Sequence, residues 1–423
     1  MRIKISKNLP YQILFGLCIG VTYLNIYELN FAVWVFTIAI TFKKSYSIDL
    51  LKYTSFFVAI FIIAFIATFF YDNSFYESIR DVTYLIKPIL GLLVGYQLCR
   101  NYDIKPFETI IYTGVAIAII HLSILMHSVV IYRIVNIHAL RMRGGYFSDF
   151  EVFSLILIMF YKQLGLVFST RQFWIIIAIL ALSSFMYLSR TNFIQFVIFY
   201  LAMKGFLSLN KKSIVIFSLF TAFLLIGYSV IYNMNLSRNG KGMEALLFKI
   251  KNAPIEPFKT KVDPNDWADF NDNYRSYETI RTVKQVANTG TQAIIFGKGL
   301  GATVNMGREV RTNEGTFVRK QAILHNANST VFLKAGLVGV FFLILSVVYL
   351  CRQKKSNIPI VQQINVLLFS TGIFLIVANW VLLGLYLKLD NKSILIGFLM
   401  CYRELIIKRS NQELKLNKVN HAT

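Results

Sequence analysis

Long apolar runs recur along the whole chain, and this feature most restricts what the sequence can fold into. A run of roughly 17–25 apolar residues is long enough to cross a membrane as a helix. The chain has 423 residues, of which 56% are hydrophobic and 15% aromatic, and this balance is not that of a soluble domain. We predict about 12 spans, near residues 10–27, 30–42, 54–71, 83–99, 108–132, 150–166, 172–188, 191–206, 213–232, 328–350, 358–381 and 384–405.

The expected fold is therefore an all-α membrane protein, a polytopic bundle of about 12 transmembrane helices. Residues 1–232 contain the first nine spans, and residues 233–325 form a long polar segment that we expect to be partly helical. Residues 326–423 contain the last three spans and a basic tail. The apolar run that follows Met1–Pro10 lacks a small-residue cleavage site, so we interpret it as the first span and not as a signal peptide.

The formal net charge of +23 would suit a nucleic-acid-binding protein, but no soluble basic domain carries it. Lys and Arg concentrate instead in alternate short loops, which predicts that both termini are cytoplasmic and that the long segment is extracytoplasmic. The four cysteines lie in or beside apolar runs, so the long segment has no disulfide. Neither their spacing nor any Cys/His pair suggests a metal site.

One arginine in a short outer loop stands out because positive charge is disfavoured there. Ser189, Arg190 and Thr191 form the whole connection between the seventh and eighth spans. A guanidinium binds phosphate oxygens in a bidentate manner, and a helix N-terminus capped by Thr191 also favours an anion. The alternative interpretation of Arg190 is an interfacial anchor that reaches lipid headgroups.

Two further outer arginines are candidates for binding an anionic ligand. Arg143 lies in a glycine-containing turn before the sixth span, where Asp149 or Glu151 can cap the helix, and an ordinary turn is the alternative. Arg80 lies before a span that contains Lys87. A lysine inside a membrane helix is costly unless it faces a polar cavity or a partner.

The long segment contains a plausible amphipathic helix, residues 273–286, with Arg275 and Arg281. It is followed by the G-x-G-x-G sequence of residues 297–301, which does not have the spacing of a dinucleotide fingerprint. This glycine-rich turn either brings backbone N–H groups near an anion or is a flexible loop.

His325 is the only histidine of the long segment and immediately precedes the tenth span. Imidazole changes charge near neutral pH, which suits a general base. Asn326 and Asn328 can orient this imidazole or bind sugar hydroxyls, whereas Asn328 or Ser329 can instead cap the span. A structural role is the alternative for each of these residues.

Taken in order along the chain, these motifs resemble the O-antigen ligase and polymerase family of bacterial membrane glycosyltransferases. The resemblance rests on "SRT" (189–191), "YRSYETIRTVKQ" followed by "FGKGLG", and "HN" (325–326) leading into "AGLVG" (335–339). The segment "RGGYFSD" (143–149) is similar to the family's segment before a middle span. About 12 helices, cytoplasmic termini and a long, late outer loop are also features of the family.

The resemblance implies inverting, metal-independent transfer of a glycan from undecaprenyl pyrophosphate to an acceptor sugar, with no cofactor, outside the bacterial cytoplasmic membrane. Arg190 matches the family's pyrophosphate-binding arginine, and His325 matches the histidine that activates the acceptor hydroxyl. Arg275 is the closest match to a second loop arginine, with Arg281 as a rival. Arg80, Arg143 and Asn326 are the remaining expected substrate-binding residues.

Several functions stay open at this stage. We favour a polymerase, which joins lipid-linked repeat units, and a chain-length regulator is then a candidate partner. A ligase transfers a finished glycan to lipid A–core and shares the same motifs. A flippase or transporter for a lipid-linked solute is a third hypothesis, although neither an inverted repeat nor paired broken helices stand out in the sequence. A membrane scaffold is the fourth hypothesis.

Overall fold

Helices form most of the structure, which is a computed structural model. It describes residues 8–42, 45–100, 105–134, 137–145, 148–187, 189–207, 211–237, 243–252, 254–256, 259–311, 317–352 and 354–420. The first ten helices are α1 (Leu9–Gly20), α2 (Tyr27–Ile40), α3 (Ile48–Thr68), α4 (Phe75–Arg100), α5 (Pro106–Val130), α6 (Ile137–Gly144), α7 (Asp149–Met159), α8 (Thr170–Met186), α9 (Arg190–Met203) and α10 (Lys211–Asn233).

The long polar segment has helices and one β-hairpin. Its elements are α11 (Met243–Asn252), α12 (Trp267–Asp272), α13 (Tyr274–Thr289), α14 (Thr291–Phe296), β1 (Val304–Arg311) and β2 (Phe317–Gln321). The strands are antiparallel, with Val304 opposite Gln321 and Arg311 opposite Phe317. The expectation of a partly helical segment is met, but an all-α description of the chain needs this hairpin as a correction.

Three helices complete the chain: α15 (Ala327–Cys351), α16 (Pro359–Val381) and α17 (Lys392–Asn420). Within the described residues, five helices are long and apolar enough to cross a membrane, namely α3, α4, α5, α15 and α16. This indicates a multi-pass membrane protein. The predicted count of about 12 spans is not confirmed, because several of the other apolar runs form shorter helices, such as the 11 residues of α7.

Small residues allow α4 and α17 to pack closely at the centre of the bundle. A Cβ atom at Gly95 would overlap the carbonyl of Ile394, and one at Gly397 would overlap the carbonyl of Leu92. Apolar side chains from most of the bundle surround this pair, including Trp34, which is 1% exposed. Because the start of α17 is fixed against α4 in this way, the polar residues that precede α17 are also held inside the bundle.

The glycine-rich turn, residues 297–301, is docked on the bundle. The backbone N–H groups of Lys298 and Gly299 donate to the carbonyls of Leu333 and Lys334, at 2.8 and 3.1 Å. Leu300 N–H donates to Thr68 Oγ1 at 2.8 Å. Gly301 N–H donates to Asp81 at 2.6 Å. Four consecutive amides are therefore used by the protein itself, and the turn is neither an anion-binding nest nor a flexible loop.

A kink in α15 receives this turn. Gly336 has a left-handed φ of 63° inside the helix, and a Cβ atom there would overlap the carbonyl of Ile295. The kink leaves the carbonyls of Leu333 and Lys334 available to the amides of the turn. The same contact fixes the first turns of α15, which directly follow the His325–Asn326 motif.

Candidate functional site

The connection between α8 and α9 places Arg190 at the first position of α9 with an exposed side chain. Ser189 is the N-cap residue, although its side chain makes no capping bond to the backbone. Its hydroxyl bonds instead to the hydroxyl of Thr191 at 2.6 Å. The expected cap at Thr191 is therefore wrong, but the guanidinium of Arg190 does lie at a helix N-terminus, where an anion is favoured.

Glu256 pairs with Arg275, and the charge of Arg190 acts on the same carboxylate. Arg275 Nη1 lies 3.7 Å from Glu256 Oε1. Burial raises the pKa of Glu256 above its usual value, while the charges of Arg275 and then Arg190 oppose the rise. The two arginines that the sequence singles out as the best phosphate ligands are therefore close enough to act on the same negative charge.

Helix α13 carries Arg275 and is held by both flanking parts of the chain. Asp266 caps the preceding α12 by accepting from Ala268 N–H at 2.8 Å. Arg275 Nε donates to the carbonyl of Val381, at the end of α16, over 2.8 Å. Thr279 shares a hydroxyl–hydroxyl bond of 2.9 Å with Ser329 of α15. These contacts fix α13 across the ends of two apolar helices.

His325 is held by a buried carboxylate that sequence reasoning missed. Glu278 is 0% exposed; its Oε1 accepts from His325 Nδ1 and its Oε2 from His325 N–H, both at 2.9 Å. A carboxylate requires the proton on Nδ1, so the lone pair of the neutral ring is on Nε2. The His325 side chain remains 27% exposed. A histidine oriented by a carboxylate in this way is suited to act as a general base.

Tyr274 forms the wall beside this histidine. Its ring lies 5.3 Å from the imidazole at 82°, an edge-to-face contact, and its hydroxyl donates to Gln321 at 3.1 Å. Burial, followed by the charge of Glu278, raises the pKa of Tyr274. Tyr274 and Glu278 are one helical turn apart on the amphipathic helix that the sequence predicts. This i, i+4 spacing is the feature of the sequence that could have identified the two residues as neighbours.

Asn326 has a structural role. Its Oδ1 accepts from Asn328 N–H at 2.8 Å and from Ser329 N–H at 3.2 Å, which makes it the N-cap of α15. Its Nδ2 is buried, with no hydrogen-bond partner among the described residues. The expectation that Asn326 orients the imidazole is wrong, because Glu278 orients it. The residue that caps α15 is Asn326, and not Asn328 or Ser329.

The other three predicted arginines have different partners. Arg281 Nε and Nη2 donate to the carbonyl of Asn305 in β1, at 3.0 and 2.8 Å. Arg80 forms an ion pair with Glu77, one turn away on α4. Arg143 lies over the ring of Tyr132, 4.0 Å from its centroid. Arg281 therefore holds the hairpin, whereas Arg275 pairs with Glu256.

The ends of α15 and α16 connect the arginines to His325. Ala327 N–H donates to the carbonyl of Leu382 at 3.2 Å, and Arg275 donates to the preceding carbonyl, that of Val381. We call the following residues the Arg–His cluster: Arg275 with its partner Glu256, Arg190, whose charge also acts on Glu256, and His325 with its partner Glu278. It combines cationic groups for an anion with an oriented imidazole.

A second polar cluster lies inside the bundle, and its carboxylates were not among the predicted site residues. Lys392 binds Asp149 at 2.5 Å and also pairs with Asp390, while Lys87 donates to the carbonyl of Asp390 at 2.9 Å. All four residues are at most 3% exposed. We call Lys87, Asp149, Asp390 and Lys392 the inner charge cluster. Lys87 thus has the polar surroundings that its position in a span requires.

Further polar groups extend the inner charge cluster. Glu151 accepts from Ser183 at 2.5 Å, and Ser183 in turn contacts His121 Nδ1 at 2.7 Å. Both amide atoms of Asn192 are buried, with no partner in the described part of the chain. Asn192 belongs to α9, and Gln195 of the same helix donates to the carbonyl of Asp149 at 3.0 Å, which connects α9 to the inner charge cluster.

Groups of three or more His, Cys, Asp or Glu side chains that could hold a metal ion do not occur within the described ranges. No family model, curated protein or solved structure matches the chain. The chemistry of its own side chains is therefore the basis for any functional conclusion.

Proposed function

We propose that the protein is a glycosyltransferase of the bacterial cytoplasmic membrane that polymerises a surface polysaccharide. Its donor would be a glycan repeat unit on undecaprenyl pyrophosphate, and its acceptor the terminal sugar of a second lipid-linked glycan. Both termini would be cytoplasmic and the long polar segment extracytoplasmic. The observation that carries the proposal is that Arg275 and the residues after His325 bind adjacent carbonyls at the end of α16, while Arg190 acts on the same carboxylate, Glu256, that pairs with Arg275.

Arg190 and Arg275 suit a pyrophosphate leaving group. When the bond between the anomeric carbon and the pyrophosphate oxygen breaks, its electron pair stays on the pyrophosphate, and negative charge grows there. Guanidinium groups fixed at that position stabilise the growing charge, and one such contact contributes about 3–4 kcal/mol in a dry site. Attachment of Arg275 to the carbonyl of Val381 provides the required rigidity.

His325 suits the acceptor side of the same reaction. Its Nε2 would take the proton from an acceptor hydroxyl while that oxygen attacks the anomeric carbon from the face opposite the pyrophosphate, which inverts the configuration. The buried carboxylate of Glu278, 2.9 Å from Nδ1, would stabilise the imidazolium that forms. General base catalysis of this kind contributes about 10²–10⁴ in rate.

The test is the surface-glycan ladder of a deletion strain complemented at matched membrane expression. Wild type should restore the ladder, whereas Arg190→Ala and His325→Ala should leave single repeat units on the acceptor. Arg133→Ala, which removes another exposed outer arginine, is the matched control and should restore the ladder. Glycan that never reaches the acceptor would favour a ligase, and a normal ladder from both variants would overturn the proposal.

A transporter of a lipid-linked or anionic solute is the second candidate, and the inner charge cluster favours it. Ionisable residues inside a membrane bundle commonly mark a transport or proton pathway. Purified protein in vesicles separates the two functions. Transport would be favoured if a labelled lipid-linked glycan crosses the bilayer without growing and if Lys392→Met abolishes this movement. The transferase would be favoured if the glycan grows without crossing.

A further inference from the structure

A groove of about 520 Å³ lies on the surface of the bundle beside the second half of α5. Its volume is within the range of small-molecule sites, roughly 300–1,000 Å³. The lining residues come from α5, from the end of α6 and from the connection between them, and are Ile119, Ile120, Ser123, Ile124, His127, Ser128, Tyr132 and Arg143. We call this feature the α5–α6 groove.

One end of the α5–α6 groove is apolar and open to the surroundings. Ile119, Ile120 and Ile124 are 49%, 60% and 43% exposed, and they lie on a helix long and apolar enough to cross a membrane. Exposed isoleucines on such a helix face acyl chains and not water. The groove is therefore a recess into which a hydrocarbon chain can fit.

The other end of the groove is cationic. The guanidinium of Arg143 stacks on the ring of Tyr132, 4.0 Å from its centroid, and the ring of His127 meets the same tyrosine edge-on at 5.3 Å. Within the described ranges Arg143 contacts this ring and no carboxylate. Stacking holds the plane of the guanidinium but leaves its N–H donors at the edge for an anion.

The position of α6 above the groove is fixed by packing. A Cβ atom at Gly144 would lie 2.7 Å from Leu125 Cδ2 and 2.9 Å from His121 Nε2, so a larger residue there would require these side chains to shift. His121 in turn stacks on Tyr187, with centroids 3.8 Å apart at 13°. The cationic end of the groove is thus part of the fold itself and does not need a ligand to form.

We propose that the α5–α6 groove binds a membrane phospholipid, with its phosphate at Arg143 and one acyl chain along Ile124, Ile120 and Ile119. The ten residues from Ile119 to Ser128 span a rise of about 13.5 Å along a helix, close to half of a hydrocarbon core of about 30 Å. That length matches a chain from one leaflet. A single guanidinium suits a single phosphate, whereas two arginines converge in the Arg–His cluster.

This proposal is independent of the glycosyltransferase proposal, and lipid retention tests it directly. The full-length protein would be stripped of lipid in detergent, incubated with phosphatidylglycerol, and analysed by native mass spectrometry for bound lipid. Arg143→Gln should lower occupancy about tenfold or more, because it removes charge-assisted hydrogen bonds to the phosphate. Ile124→Trp, which fills the groove, should lower it similarly.

Arg133→Gln is the control, because Arg133 is exposed in the same connection but does not line the groove. It should retain the lipid as wild type does. Unchanged retention in Arg143→Gln, or in Ile124→Trp, would overturn the proposal. Equal retention of diacylglycerol, which has no phosphate, would also overturn it. Displacement of phosphatidylglycerol by a lower concentration of undecaprenyl phosphate would assign the groove to the carrier lipid instead.

Discussion

At the scale of single residues, the partner of each charged group decides its role. His325 acquires a defined orientation because both oxygens of Glu278 accept from it, one from the ring and one from the backbone. Arg275 differs from Arg281 in the same way. Arg275 pairs with the carboxylate of Glu256, on which the charge of Arg190 also acts. Arg281 instead donates to the carbonyl of Asn305 in the hairpin. The residue type alone does not distinguish these two arginines.

Glu278→Gln should lower the rate of glycan transfer by about 10²–10⁴, because an amide cannot stabilise the imidazolium of His325 as a carboxylate does. The measurement is the rate of polymer formation by purified protein with lipid-linked repeat units. Glu309→Gln, which changes an exposed glutamate of β1, is the control. A wild-type rate in Glu278→Gln would show that the carboxylate has no part in the reaction.

Glu256→Gln should strengthen binding of the pyrophosphate-linked donor. In the proposed function the carboxylate of Glu256 would compete with the donor for Arg275, and a long, partly exposed ion pair of this kind contributes up to about 1 kcal/mol, or about fivefold in affinity. We therefore expect the KM for the donor to fall by up to about fivefold in initial-rate measurements. An increase in this KM would mean that Glu256 positions the arginines and does not compete with the donor.

At the scale of elements, the glycine-rich turn holds α3, α4 and α15 together, with α13 above them. Its amides bind α15, Thr68 and Asp81, and Lys334 of α15 pairs with the same Asp81. The turn therefore connects the first turns of α15, which follow His325 directly, to the C-terminal end of α3 and the N-terminal part of α4. Any movement of this turn would displace the Arg–His cluster.

Gly299→Ala tests that connection. Gly299 has a φ of 77°, and a Cβ atom there would overlap the backbone of Thr68. Gly205 has a φ of 79°, and a Cβ atom there would meet no described atom within 4 Å. Alanine at Gly205 should cost only the conformational penalty, about 1–2 kcal/mol. Alanine at Gly299 should add an overpacking penalty of about 1–3 kcal/mol. Thermal unfolding in detergent compares the two, and equal losses of Tm would refute the docking.

At the scale of the whole molecule, the sequence predicts the helical, membrane-spanning character because hydropathy alone determines it. The hairpin escapes prediction because strand β2 carries Arg319 and Lys320 and has no clean alternation of polar and apolar residues. Glu278 and Glu256 escape because each lies far along the chain from the histidine or arginine it contacts. Only the docking of α13 on α15 and α16 brings these pairs together, and a single sequence does not encode that contact locally.

The inner charge cluster is a property of the whole bundle, since Asp149 begins α7, Lys87 is in α4, and Lys392 begins α17. Lys392→Met alone should destabilise the protein by about 3–5 kcal/mol, because it leaves buried carboxylates without their cation. Asp149→Leu combined with Lys392→Met should recover part of that loss. Thermal unfolding measures stability, and the glycan ladder measures function in the same variants. Recovery of both would assign the cluster to packing, whereas recovery of stability without function would place these charges in the path of the substrate.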